Sequence, residues 1–232
     1  MLKLTLKACR NIDINSQRDS SLTVLDKHVF RPMGTILAFI FYRYTIITPN
    51  ALTLSSVIIS GFGGAAFIFG YDYLAMTLFF LFPVLDCADG TLARISGKNN
   101  KFGVVVDATG GYAFIVIFWV SLLIHIKSVE IFFLEYSVIF IIVINLWCRL
   151  YLNKKNWMIA SQKIDTKYSN PRKSSLYYFY ENLEFGSAQV PIFIISVFLD
   201  KISLFILLYT VIAGCLLMWT VRDIIVTSNN YN

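Results

Sequence analysis

The chain has 232 residues, 57% of them hydrophobic and only 15% charged, with a formal net charge of +6. A mean hydropathy of +0.66 excludes an ordinary water-soluble domain and reads as a polytopic, all-α membrane protein, because a soluble core of this size does not need so many long Phe/Ile/Leu runs. The basic excess suits anionic headgroups rather than nucleic acid, since the Lys and Arg residues flank apolar runs.

Residues 1–31 are basic and weakly apolar, with no apolar run of the kind that marks a cleavable leader. Asp26 to Tyr44 predicts an amphipathic helix lying on the membrane surface, because its apolar part is short and interrupted by Arg43. Thr48-Pro49-Asn50 then punctuates the chain, and Leu52 to Phe69 is the first clear span. Pro near the first helical position and a polar cap explain its start. Gly61, Gly63 and Gly64 within it allow close helix packing. Tyr73 to Ile95 is the second span and Gly103 to Ile126 the third, joined by a polar turn from Ser96 to Lys101. Ile131 to Leu150 is the fourth, Ala188 to Leu199 a short fifth, and Ile202 to Val226 the sixth. Asn153 to Gly186 is the longest polar stretch; it reads either as a loop held by anionic lipid or as a source of phosphate contacts. The chain thus divides into a segment over 1–47, a six-span unit over 48–226 and a tail over 227–232. Cys9, Cys87, Cys148 and Cys215 are scattered without metal-ligand spacing and read as reduced small residues. His28 and His125 are far apart and read as interfacial side chains.

One stretch breaks the oily pattern. On a helix, Asp86, Asp89, Gly90 and Ala93 share one face, and on the next span Gly103, Asp107 and Gly111 share another. Opposed, these faces would enclose a small pocket with three acids around it. Acids inside a membrane are costly unless paired or bound to metal, and oxygen-only ligands suit magnesium, manganese or calcium rather than zinc.

The spacing D-x2-D-G-x2-A-R-x8-G-x3-D, from Asp86 to Asp107, resembles the signature of the CDP-alcohol phosphotransferase family of integral membrane enzymes. Seven matched positions at roughly 5% usage each give about 10⁻⁹ per starting position by chance. The resemblance covers about residues 48–112. It implies transfer of a substituted phosphate group from a CDP-linked donor to an alcohol or phospho-alcohol acceptor, with release of CMP. By resemblance, Asp86, Asp89 and Asp107 are ligands of Mg2+ or Mn2+, and Asn50, Thr53, Gly90, Ala93, Arg94 and Gly103 lie at the nucleotide. From its residue type alone, Arg94 is either a phosphate contact or a snorkelling helix end. The family pattern continues with a further acid, read there as the base for the acceptor hydroxyl; here that position is Gly111. Either another residue serves, or no base is needed, or the protein binds nucleotide and lipid without turnover. Arg149, Arg172 and Arg222 are the candidates for an acceptor phosphate.

The basic residues place the N-terminal segment, the second-to-third turn, the fourth-to-fifth loop and the C-terminal end on one side. Both termini and the acids are therefore expected on the cytoplasmic face of the cell inner membrane, among membrane lipids. The resemblance leaves room for a homodimer. An ion-coupled transporter is the third class considered; it would show repeated halves, and the sequence has none.

Overall fold

The computed structural model describes residues 5–16, 24–98, 101–127, 132–161 and 188–229, and every regular element among them is helical. In chain order these are α1 (Leu6–Ser16), a π-turn (Asp26–Phe30) running directly into α2 (Arg31–Tyr44), α3 (Pro49–Ile68), α4 (Asp72–Ile95), α5 (Lys101–Lys127), α6 (Phe132–Ser161), α7 (Gln189–Phe198) and α8 (Ile202–Asn229).

Helix α3 is the central strut, packed closely on α4 along one side and α5 along the other, while α4 and α5 meet through long side chains. Its start follows from the sequence: Thr48 is extended and its hydroxyl accepts the Ala51 amide at 3.3 Å, with Pro49 at the first helical position. Lipid offers apolar side chains no water to escape, so helices in a membrane associate through close fit. Gly63 supplies that fit against α4, where an added Cβ would lie 3.2 Å from Leu78 and Phe79. Gly64 supplies it against α5, 3.1 Å from Ile117. Gly61 faces open space and joins neither contact. Gly70, with φ +79°, ends α3 and turns the chain into α4.

Away from the acids, α3, α4, α5, α7 and α8 meet in an aromatic core. Phe82 stacks on Phe114 at 4.0 Å, Phe118 meets Phe193 edge-on at 4.9 Å, and Trp119 stacks on Phe205 at 5.6 Å. His125 stacks on Phe67 at 4.4 Å within the same half of the molecule. Helices α6 and α8 run parallel: Cys148 meets Thr220 at 3.3 Å, and three residues on in both helices the Tyr151 hydroxyl donates to Asp223 at 2.7 Å. The four cysteines form no disulfide.

A second, smaller core backs the acid-bearing part of α4. Leu85, Ala88, Leu92 and Ile95 lie on one face and pack with Cys9 of α1, Ala38 of α2 and Leu52 of α3. Contact with α2 is so close that a Cβ on Gly34 would sit 2.7 Å from the Cys87 Cβ. The expected surface helix is thus a two-faced element. Phe30, Gly34, Thr35 and Ala38 are buried on the protein, while Met33, Ile36, Ile40 and Tyr44 form an exposed apolar row.

Four helical segments are long and apolar enough to cross a membrane: Pro49–Ile68, Asp72–Ile95, Phe102–Ile126 and Ile202–Val226. At 1.5 Å per residue the shortest, of 20 residues, spans about 30 Å, the thickness of the hydrocarbon layer. The molecule is an integral membrane protein. The apolar segments Phe133–Cys148 and Gln189–Phe198 are shorter than a full span among the described residues. Helix α6 runs on to Ser161, past the Leu150 expected from hydropathy, because its polar final turns keep helical backbone after the apolar run ends.

Candidate functional site

Three helix ends build one cleft. The N-terminus of α3 brings Pro49, Asn50 and Thr53; the last turns of α4 bring Asp89, Gly90, Ala93 and Arg94; the turn after α4 brings Lys98; and the first turns of α5 bring Gly103, Val104 and Asp107. The space they line is about 160 Å³. All six residues expected at a nucleotide, drawn from three separate stretches, line it.

Asp89 and Asp107 line this cleft, and Asp86 clusters with them without being among its lining residues. Asp86, Asp89 and Asp107 each present a carboxylate oxygen, and the three oxygens lie within 4.8 Å of one another. Asp89 is buried at 3% exposure, Asp86 half-buried and Asp107 exposed. Two carboxylates at 4.8 Å repel by about 3–4 kcal/mol at an effective dielectric of ~20, less where water reaches Asp107. Arg94 and Lys98 on the same lining offset part of this repulsion, and a bound cation would offset it more directly. The donor set is oxygen only, which fits a hard divalent cation and does not fit zinc.

Neighbouring groups fix the acids. The Thr53 hydroxyl donates to Asp89 Oδ2 and lies 3.2 Å from the Pro49 carbonyl, so α3 holds one Asp89 oxygen in place. Gly110 of α5 presses on Thr53 in turn; a Cβ there would lie 2.9 Å from Thr53 Cγ2. Arg94 folds back along its own helix over Gly90, its Nη2 donating to the Thr91 hydroxyl at 3.2 Å. Thr91 Oγ1 itself donates to the Cys87 carbonyl at 2.9 Å. A side chain larger than a methyl at Gly90 would meet that guanidinium.

The helix ends add a second charge pattern. The N-termini of α3 and α5 carry partial positive charge toward the cleft, and Arg94 and Lys98 add full charges. The cleft therefore has an acidic pole and a cationic pole side by side, an arrangement that suits a phosphate-bearing ligand held together with a cation.

Other expected residues lie elsewhere or outside the described part. Gly111 is half-buried on α5, one residue past Gly110, and is not among the residues lining the cleft. Arg222 is exposed on α8 and does not line the cleft. Arg149 belongs to α6, with its side chain outside the described residues, and Arg172 lies wholly outside them. Sequence reasoning missed Pro49, Lys98, Val104 and Gly110. Only Lys98 left a usable signal, continuing the four-residue spacing of Asp86, Gly90 and Arg94.

Comparison with known proteins agrees with this geometry. The model of the CDP-alcohol phosphatidyltransferase family matches residues 46–227. The chain is 37% identical over 75 residues to a CDP-diacylglycerol–glycerol-3-phosphate 3-phosphatidyltransferase of Cereibacter sphaeroides, covering 30% of this chain and 33% of that protein. It is 38% identical over 63 residues to an archaetidylinositol phosphate synthase of Pyrococcus horikoshii, covering 27% of this chain and 34% of that one. It is 41% identical over 66 residues to a phosphatidylinositol phosphate synthase of Corynebacterium glutamicum, covering 27% of this chain and 29% of that one. These likenesses thus span about a third of each relative's length. The family match, by contrast, takes in all three helices of the cleft and most of the chain, which places this protein in the CDP-alcohol phosphatidyltransferase family.

Proposed function

We propose that this protein transfers a substituted phosphate group from a CDP-linked donor to an alcohol or phospho-alcohol, releasing CMP, in the synthesis of phospholipids or related phosphodiesters. The observation that carries this reading is the meeting of three carboxylates within 4.8 Å of one another, two of which, Asp89 and Asp107, line one cleft with Arg94 between α3, α4 and α5. Asp86, Asp89 and Asp107 would hold Mg2+ or Mn2+, which when bound neutralises the diphosphate charge. Thr53 keeps Asp89 oriented, so one carboxylate oxygen is presented without a rotamer search. Gly90, Ala93 and Gly103 leave room for the cytidine, and Asn50, in the first turn of α3, offers it an amide. Arg94 presents its fork of donors to a phosphate oxygen. In the reaction the acceptor oxygen bonds to the phosphorus distal to cytidine. The bond from that phosphorus to the bridging oxygen breaks, the bridging oxygen leaves with CMP, and the hydroxyl proton is lost.

That proton has no carboxylate waiting at Gly111, and glycine serves neither as base nor as ligand. The second reading, a nucleotide- and lipid-binding protein without efficient turnover, rests on this residue. The reading of the chain as residues 1–47, a six-span unit over 48–226 and a tail over 227–232 belongs to the proposal. So do the cytoplasmic placement of termini and cleft, in an inner membrane, and the seating of the apolar row of α2 at the membrane surface. Arg149, Arg172 and Arg222 are proposed to hold an acceptor phosphate or anionic lipid, and a homodimer is compatible with the reading. The test is CMP release by the purified protein from CDP-diacylglycerol and other CDP-linked donors, with Mn2+ or Mg2+ and a panel of alcohols and phospho-alcohols. Metal-dependent release supports transfer. CDP binding with no release across the panel supports the second reading.

A further inference from the structure

The turn that ends α4 delivers a cation to the cleft, and nothing in the family pattern quoted above accounts for it. Asp86, Gly90, Arg94 and Lys98 are spaced four apart, but α4 ends at Ile95, so helical geometry alone does not place Lys98. A glycine turn places it. Gly97 adopts φ +65°, in the left-handed region, where a side chain would be strained. The Gly97 amide donates to the Arg94 carbonyl at 3.4 Å and the Lys98 amide to the Ala93 carbonyl at 3.1 Å, the closure typical of a helix C-terminus. The chain reverses there, and Lys98 lines the same cleft as Arg94, Asp89 and Asp107. An exposed lysine at a helix C-terminus satisfies the helix dipole wherever it points. Here it lines one cleft with Arg94, whose guanidinium is already committed in part to Thr91. With the acids of this lining committed to a cation, the charges of Arg94 and Lys98 are left for a further anion.

We propose that Lys98 is a phosphate-binding residue of this cleft, pairing with Arg94 to clasp one phosphate group, with Gly97 as the turn that aims it. This rests on the reading of the cleft as a site for CDP-linked donors. The ligand chemistry is a phosphate oxyanion, which either the donor's diphosphate or a phosphorylated acceptor supplies. Lysine acts as a point charge and tolerates either geometry, whereas Arg94 provides the directional contact.

The test compares the parent protein, Lys98→Gln and Lys98→Arg, each purified whole in detergent with Mn2+. CDP affinity is read by calorimetric titration, and KM is read for a phospho-alcohol and for its unphosphorylated counterpart. If the donor supplies the phosphate, Lys98→Gln weakens CDP about tenfold, the loss of one charge-assisted contact at an exposed position, and Lys98→Arg restores most of it. If the acceptor supplies it, CDP affinity holds and KM rises about tenfold for the phospho-alcohol alone. CDP affinity and both KM values within twofold of the parent overturn the proposal while leaving the transferase reading intact. A parent protein that binds CDP but releases no CMP sinks the transferase reading, and titrations of CDP and of the phospho-alcohol then decide Lys98: weakening of either on Lys98→Gln supports it and unchanged affinity for both overturns it. A parent that binds no CDP with metal overturns both.

Discussion

Asp89 is the residue on which the cleft turns, since it is buried, belongs to α4 and is bonded across to α3 by the Thr53 hydroxyl. Thr53→Val keeps the shape of that side chain and removes its donor. The predicted result is a fall in CMP release of about 10–100-fold with a melting temperature near the parent's. That magnitude matches a hydrogen bond to a charged group, worth roughly 1.5–3 kcal/mol. Unchanged turnover would mean that Asp89 is positioned by something else. Gly111 carries a second prediction at this scale. A positioned base contributes about 10²–10⁴-fold, and Gly111→Asp puts an acid one helical turn from Asp107. CMP release should rise, more steeply with Mn2+ concentration than in the parent, because a fourth acid needs cation to offset it. Robust parental turnover with no gain would show that the reaction uses another base or none. The acids and Arg94 were legible in the sequence because carboxylates in an apolar chain stand out and their spacing is regular. Gly110 was not, since its part is to touch Thr53, and a contact between α3 and α5 leaves no mark on local spacing.

At the scale of elements, small residues decide which helices approach. Gly34 lies where α2 crosses the acid-bearing turn of α4, 2.7 Å from the Cys87 Cβ for any added methyl and 3.0 Å from the Ala88 amide nitrogen. Both atoms belong to or adjoin backbone and cannot swing aside. Gly34→Ala should therefore cost about 1–3 kcal/mol by overpacking and should shift the turn that carries Asp86 and Asp89. Gly61→Ala meets nothing within 4 Å and should be neutral. Thermal unfolding in detergent and CDP titration of both variants check this. Equal behaviour of the two would contradict the packing of α2 on α4. The sequence marks Gly61, Gly63 and Gly64 alike as packing glycines, because composition does not reveal rotation about the helix axis. For the same reason the sequence predicts an amphipathic surface helix at α2 without showing which residues pack on α4. The buried face of α2 is built from Gly34, Thr35 and Ala38, residues that hydropathy scores weakly but that allow close approach.

The whole molecule combines a rigid aromatic half with a polar cleft at the opposite helix ends. Class and membrane character were plain from hydropathy, which integrates over many residues. Span count was less so, since Phe133–Cys148 and Gln189–Phe198 are short and their flanks are amphipathic or lie outside the described residues. The account's central claim is that α3, α4 and α5 assemble a metal-dependent CDP site around three acids. The most direct test is CMP release from CDP-diacylglycerol by the parent protein and by Asp89→Asn, with a Mn2+ series and with chelator. Asn keeps the size of the side chain and removes its charge. The account predicts release by the parent that saturates with Mn2+ and stops with chelator, and loss of release at every Mn2+ concentration in Asp89→Asn. Release by Asp89→Asn equal to the parent's, or parental release indifferent to chelator, would contradict it.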